Sequence, residues 1–328
     1  MLISSTPAPR LWTGGLVVLA IGIVATLGGL AVPVIGGPVL CILLGLVVRR
    51  LAGPRPGWAP VIRFTSQTVL QAAVVLLGAT LSLGEVWRTG LSSLPVLLGT
   101  LVVCLLAGSL LGRRLGIDLD IRTLITCGTA ICGASAIATI SAVIGAKRAA
   151  VAYSVTVIFV FNILAALTFP LVGHLLALSP QSFGLWAGTA INDTSSVVAA
   201  GTTYGAAAAS YAVIVKLTRT VMIVPVAIGQ AVLRQRGAIR PTRLVPPFLV
   251  LFLVAAGLGT IGVVPHAVTG ELKSAALLCT TLAMGAIGLA TPLQEIRRAG
   301  IRPLALGGSL WVLVAVSSLV LQKVSGLL

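Results

Sequence analysis

This sequence predicts an all-helical integral membrane protein, and three observations carry the prediction. Of its 328 residues, 58% are hydrophobic and only 9% are charged, where a soluble domain carries about a quarter charged. The apolar residues fall in runs near the ~20 residues that a helix needs to cross the ~30 Å hydrocarbon core. The basic residues sit mostly in the short connections between those runs. The net charge of +16 therefore suits anionic lipid and the positive-inside rule rather than nucleic acid.

Reading the apolar runs between charged or Pro/Gly breaks gives about eleven transmembrane helices: 11–32, 34–48, 66–84, 92–112, 123–145, 149–172, 183–203, 209–233, 244–264, 272–291 and 303–324. The first follows Arg10; it is long for a signal segment and lacks a small-residue exit, so it reads as a retained span. The second is short and opens on Gly36, Gly37 and Pro38. The third follows the longest polar connection, where Pro54, Pro56 and Pro60 keep the chain extended. The fourth closes on Arg113 and Arg114, and the fifth contains Gly128 and Gly133. The seventh is the least hydrophobic, and the eighth contains Lys216, Arg219 and Pro225. Fifteen of the 22 Lys and Arg fall on one side of this arrangement and five on the other. That bias places the N-terminus in the cytoplasm and the C-terminus outside, as in a bacterial inner-membrane protein.

Segment five reads TCGTAICGASAI, Thr126–Ile137. Gly128 and Gly133 stand where a spanning helix prefers Leu or Ile, with Thr129, Cys132 and Ser135 beside them. This composition fits a discontinuous helix whose half-helix ends face a small ligand, and it equally fits close packing through small residues. Gly128–Ile131, GTAI, recurs at Gly188–Ile191, a weak echo between segments of the same direction. Segment ten again places Gly285 and Gly288 among small residues. Segments five and ten would run antiparallel, which predicts two inverted five-helix repeats (34–177 and 178–328), each with a broken crossing helix, preceded by an extra helix in 1–33.

Polar residues inside spans mark the candidate site. Asp193 is the only carboxylate well inside a span, flanked by Asn192, Thr194, Ser195 and Ser196. A charge there needs a partner, a cavity or a proton; the competing reading is a cap on a short second helix. Lys216 and Arg219 lie three apart, on one helix face, too deep to snorkel easily. Asp193 neutralises only one of them, which leaves a positive charge for an anionic substrate; the competing reading is that Asp193 and backbone carbonyls lock both into the fold. Glu295 with Arg298, and Asp118 with Arg122, have the spacing of interfacial ion pairs. His174, His266 and the five cysteines form no metal or redox motif, so no metal or cofactor is expected. The absence of a catalytic triad or paired carboxylates argues against an enzyme.

The ordered motifs GTAICGASAI, FGLWAGTAINDTSSVVAAG, AVIVKLTR and LAMGAIGLATPLQEIRRAG resemble the bacterial YeiH-type family, whose members carry a sulfate-exporter label. The resemblance runs from about Gly36 to Leu321. It implies a polytopic inner-membrane protein similar in architecture to the bile-acid symporters and cation/proton antiporters. Where the family pattern has His-Glu, this chain has Asn192-Asp193, so the carboxylate remains and the titratable imidazole is absent.

The resulting expectation is a secondary transporter of a small sulfate- or sulfonate-like anion. Its site would comprise Gly128, Thr129, Cys132, Gly133, Ser135, Asn192, Asp193, Thr194, Ser195, Lys216, Arg219, Gly285 and Gly288, with Asp193 taking the coupling proton or cation. A sodium-coupled symporter of a small organic anion is the alternative in the same class. A non-transporting membrane assembly protein is the alternative outside it. The apolar faces leave room for a homodimer.

Overall fold

The structure, a computed structural model, describes residues 11–31, 36–53, 55–234, 247–291 and 300–328. Among these, regular structure is helical, with no strand. Helix α1 spans Leu11–Ala31, α2 Gly36–Ala52 and α3 Ala59–Phe64. A π-turn, Thr65–Val69, joins α3 to α4, Leu70–Ala79. Then follow α5 (Leu83–Arg114), α6 (Leu119–Ala130), α7 (Ala134–Ile144), α8 (Arg148–Leu175), α9 (Pro180–Ala190) and α10 (Thr194–Tyr204). The remainder is α11 (Ala206–Val221), α12 (Ile223–Leu233), α13 (Pro247–Thr260), α14 (Thr269–Ala290) and α15 (Ile301–Val324).

Seven helical stretches among the described residues are long and apolar enough to cross a membrane: α1, α3–α4, α5, α8, α11–α12, α14 and α15. Of the other four segments read from the sequence, α2 and α13 fall short in length, and two are each broken into a pair of short helices, α6–α7 and α9–α10. Local signals account for several boundaries. Ser82 and Glu85 form a reciprocal capping box at the start of α5, satisfying two end donors. Pro180 opens α9 just after Ser179, whose hydroxyl accepts from the Ser182 N–H. Asp118 caps α6 through the Asp120 and Ile121 N–H groups at 2.9 and 3.4 Å. The expected partner Arg122 is therefore not needed, and Asp120 instead pairs with Arg234 at 3.2 Å. Glu295 and Arg298 lie outside the described residues.

Segment five is broken as expected, between Ala130 and Ala134. Segment ten is not broken at its glycines: α14 runs continuously through Gly285 and Gly288. Those two glycines pack against α2. A Cβ on Gly288 would meet the Ile42 carbonyl and the Gly45 Cα, and one on Gly45 would meet the Gly285 carbonyl. Removing side chains lets two backbones approach closely, which is how apolar helices gain contact where lipid competes equally for their side chains. The segment that is broken alongside the fifth is the seventh.

Three of the five apolar clusters among the described residues show how the helices are joined. Ile21, Ala25, Cys41, Ile42, Met284 and Ala286 join α1, α2 and α14. Val74, Leu77, Val198, Val213, Phe252 and Ala276 join α4, α10, α11, α13 and α14. The largest surrounds the broken helices, with Phe169 of α8 stacked on Trp186 of α9 at 4.0 Å between ring centroids. A Gly288→Val variant should lose about 1–3 kcal/mol, the usual cost of forcing extra methyl groups into a packed interface. Thermal unfolding in detergent reads this directly; an unchanged midpoint would mean α2 and α14 do not meet at Gly288.

Candidate functional site

Breaking a helix inside a membrane exposes carbonyls at the end of one half and N–H groups at the start of the next, each costing several kcal/mol if left unpaired. Here both breaks occur in the same tetrapeptide. GTAI closes α6 at Gly128–Ile131 and closes α9 at Gly188–Ile191. The weak echo thus marks two equivalent structural positions.

The freed carbonyls converge on α11. Lys216 Nζ donates to the Ile131 carbonyl at 2.9 Å and to the Ile191 carbonyl at 2.7 Å. Arg219 donates from Nε to Ala130 at 2.7 Å, from Nη2 to Thr129 at 2.8 Å, and from Nη1 to Thr189. Both side chains are fully buried, at 0% exposure. Two helix C-termini, each equivalent to roughly half a negative charge, surround two cations. Asp193 makes no ion pair with either among the described residues. The expectation that these cations meet a ligand is therefore revised: the structure seats them behind the breaks, bonded to backbone.

The two following half-helices begin differently. Asp193 is the N-cap of α10, and its Oδ2 accepts from the Ser195 N–H at 3.0 Å and from the Ser195 hydroxyl. The equivalent position before α7 is Gly133, at φ +66° and ψ −126°, a conformation open to glycine, and no side chain caps the helix. The competing reading of Asp193 as a cap is thus correct in its chemistry. Its setting is a break buried within the protein, since the adjacent Asn192 is only 1% exposed.

A cavity of about 400 Å³ lies against both N-termini. Ala134 and Ser135 of α7 and Asp193, Thr194 and Ser195 at the start of α10 line it. Ser66 and Gln67 from the π-turn, and Gln71 from α4, line it too. Leu70, Val74, Ile158, Phe159, Phe248 and Ile287 make the rest of the wall apolar. Asn162 of α8 is 5% exposed and lines the same space. Its Oδ1 accepts from the Asp193 N–H at 3.2 Å, which leaves the amide nitrogen available to the cavity.

Of the residues read from the sequence, Ser135, Asp193, Thr194 and Ser195 reach the cavity, and Gly133 opens α7 toward it. Gly128 and Thr129 belong to α6, where a Cβ on Gly128 would crowd Ile137 and Ile158. Cys132 is 3% exposed, and its sulfur accepts from the Ser135 hydroxyl at 2.8 Å. Asn192 is buried, and both polar atoms of its side chain lack a partner. Gly285 and Gly288 lie away on the α2 contact. Gln67, Gln71 and Asn162 were not foreseen. A signal existed, because the chain has only two asparagines and both stand at this site. No group of three His, Cys, Asp or Glu converges among the described residues.

The chain was compared with known proteins. Residues 13–307 match the model of a family described as conserved hypothetical protein 698. A UPF0324 membrane protein of Streptococcus agalactiae is 39% identical over 93% of this chain and 95% of its own length. One of Streptococcus mutans is 38% identical over 91% and 93%, and one of Clostridium tetani 34% over 89% and 90%.

Replacing Lys216 or Arg219 by Met removes the donors and leaves carbonyls unpaired in a dry interior. Each should cost about 3 kcal/mol or more, as when one partner of a buried charge pair is deleted. The loss should show in detergent melting curves with or without added anions. Wild-type stability in both variants would sink the view that these cations hold the breaks.

Proposed function

The chain belongs to the conserved hypothetical protein 698 family of UPF0324 membrane proteins, and we propose that it is a secondary transporter of a small organic anion. Eleven crossings, of which α6–α7 and α9–α10 are discontinuous, and alternating access between two bundles complete this reading. One observation carries it: of two half-helices that begin at the same cavity, α10 is capped by the carboxylate of Asp193, whereas the N-cap of α7 is a glycine with no side chain to offer and the Ala136 N–H meets a thiol, Cys132, rather than an anion. A substrate carboxylate or sulfonate would do for α7 what Asp193 does for α10. Helix N-termini favour anions through both their dipole and their free N–H groups.

The wall argues for an organic anion rather than bare sulfate. A volume of about 400 Å³ falls in the range of pockets that enclose organic ligands. Phe159, Phe248, Ile158 and Ile287 offer an apolar body a dry surface, which a hydrated dianion would waste. Among the described residues, no Lys or Arg lines the cavity to meet a second negative charge.

The sodium-coupled form of this reading has its own support. Asn192 Oδ1 and Thr129 Oγ1 are buried oxygens without partners at the two breaks, suited to a coupling cation. Asp193 would serve the same role, or carry a proton.

The test is thermal unfolding of purified protein with sulfonates, carboxylates and sulfate, in sodium and in potassium. A true ligand at 100 times its dissociation constant should stabilise by about 2.7 kcal/mol. Ser135→Asp, which places a carboxylate in the first turn of α7, should abolish that stabilisation while keeping the wild-type melting point. Stabilisation that persists in Ser135→Asp would place the anion elsewhere. No response to any anion would reject the reading.

A further inference from the structure

The cavity described above is not the only one on this seam. A second cavity of about 320 Å³ is lined by Thr26, Gly36, Thr202, Thr203, Ser274 and Thr281, among others. A third, of about 190 Å³, shares Thr202, Ser274 and Leu277 with it and extends to Leu77 and Lys273. The two form one cleft.

This cleft lies at the other end of the same three helices. Along α10 the first cavity reaches Ser195 and the cleft begins at Thr202. Along α14 the limits are Ile287 and Thr281, and along α4 they are Val74 and Leu77. At 1.5 Å per residue, the separation is about 10 Å on α10, about 9 Å on α14 and about 5 Å on α4, against a hydrocarbon core of ~30 Å. Between these limits lie Val198, Ala199 and Met284, each at most 1% exposed. None of them carries a polar side chain.

The sequence places the two openings on opposite faces. The first cavity lies near the starts of α4 and α13 and the end of α14, next to the Arg-rich connections. The cleft lies at the end of α10 and the start of α14, the sides with few basic residues. The hydroxyls of the cleft suit passage more than retention. Thr26, Thr202, Ser274 and Thr281 already donate to carbonyls of their own helices, so the cleft is wettable yet offers few donors to hold an anion. Lys273 lines it as well and, among the described lining residues, is the one basic side chain.

We propose that the cleft is the outer vestibule of the permeation path, which runs between α4, α10 and α14 and is closed in this conformation by a thin apolar plug around Val198, Ala199 and Met284. The inference rests on the transport reading for what passes, but the two openings can be tested without it. In a Cys279→Ser background, where the four remaining cysteines are buried, Gln71→Cys and Thr202→Cys each place one reactive thiol, in the inner cavity and in the cleft respectively. A membrane-impermeant thiol reagent should label Thr202→Cys from outside intact cells and Gln71→Cys only in inverted vesicles. Labelling of both from one face, or of neither, overturns the path.

The plug is tested separately with Ala199→Leu in vesicles loaded with the sulfonate or carboxylate that gives the largest thermal shift. Flux should fall at least tenfold while that anion still raises the melting temperature as in wild type. Unchanged flux in this variant overturns the plug. Absence of flux from wild-type vesicles defeats the transport reading, and the labelling result then decides the two vestibules alone.

Discussion

Everything at the centre of this fold depends on one requirement: carbonyls released by a helix break inside a membrane must find donors. Two breaks release the carbonyls of Thr129, Ala130 and Ile131 on one side and of Thr189 and Ile191 on the other, and one turn of α11 answers all of them. Lys216 and Arg219 lie three residues apart and so share a helix face. That spacing fixes both breaks to the same depth. Burying two cations is normally prohibitive; here each is surrounded by oxygens whose bonds are already aligned. Charge and backbone each remove the other's penalty.

With the carbonyl ends sealed, the N-terminal ends are left to define the site. The two halves follow the same tetrapeptide and differ at several positions, of which Gly133 against Asp193 is the one that sets the cap. Asp193 closes α10 with a carboxylate of the protein's own. Gly133 turns the chain through a conformation closed to other residues and leaves α7 open. The near-repeat therefore supplies both a filled anion position and an empty one beside it. Asn162, bonded to the Asp193 backbone, ties the filled one to α8.

Much of this was legible in the sequence, and the limits are physical. Composition and the spacing of apolar runs were enough for a membrane-embedded helical protein, because hydrocarbon permits few other backbones. The break in segment five was readable because Gly128 and Gly133 bracket polar residues where a lipid-facing helix has none. The same glycine pattern misled at Gly285 and Gly288. Small residues serve a break and a close helix contact alike, and only the distant partner Gly45 decides between them. Lys216 and Arg219 were recognised as cations in need of negative charge. Backbone carbonyls were one of the two readings for their partners, but which carbonyls could not be read, because two of the five come from a second break distant in sequence from the first.

The hydrogen bonds also decide which parts can move. Lys216 and Arg219 cross-link α6, α9 and α11, so the broken helices and α11 form one unit that cannot slide internally without unpairing a buried cation. Across the seam, α2 and α14 are locked by backbone contact at Gly45, Gly285 and Gly288, and α4 packs on α14. Among the described residues, Val74, Val198, Ala199 and Met284 contribute apolar contacts between the two units. Such contacts are non-directional, and they can be exchanged for others at little cost. Polar bonding within each unit and apolar contact between them is the distribution of forces that lets a seam open while its two walls stay intact. The uncapped end of α7 and the cap of α10 stand on one of those walls, so whatever binds there keeps its binding groups while the opposite wall shifts.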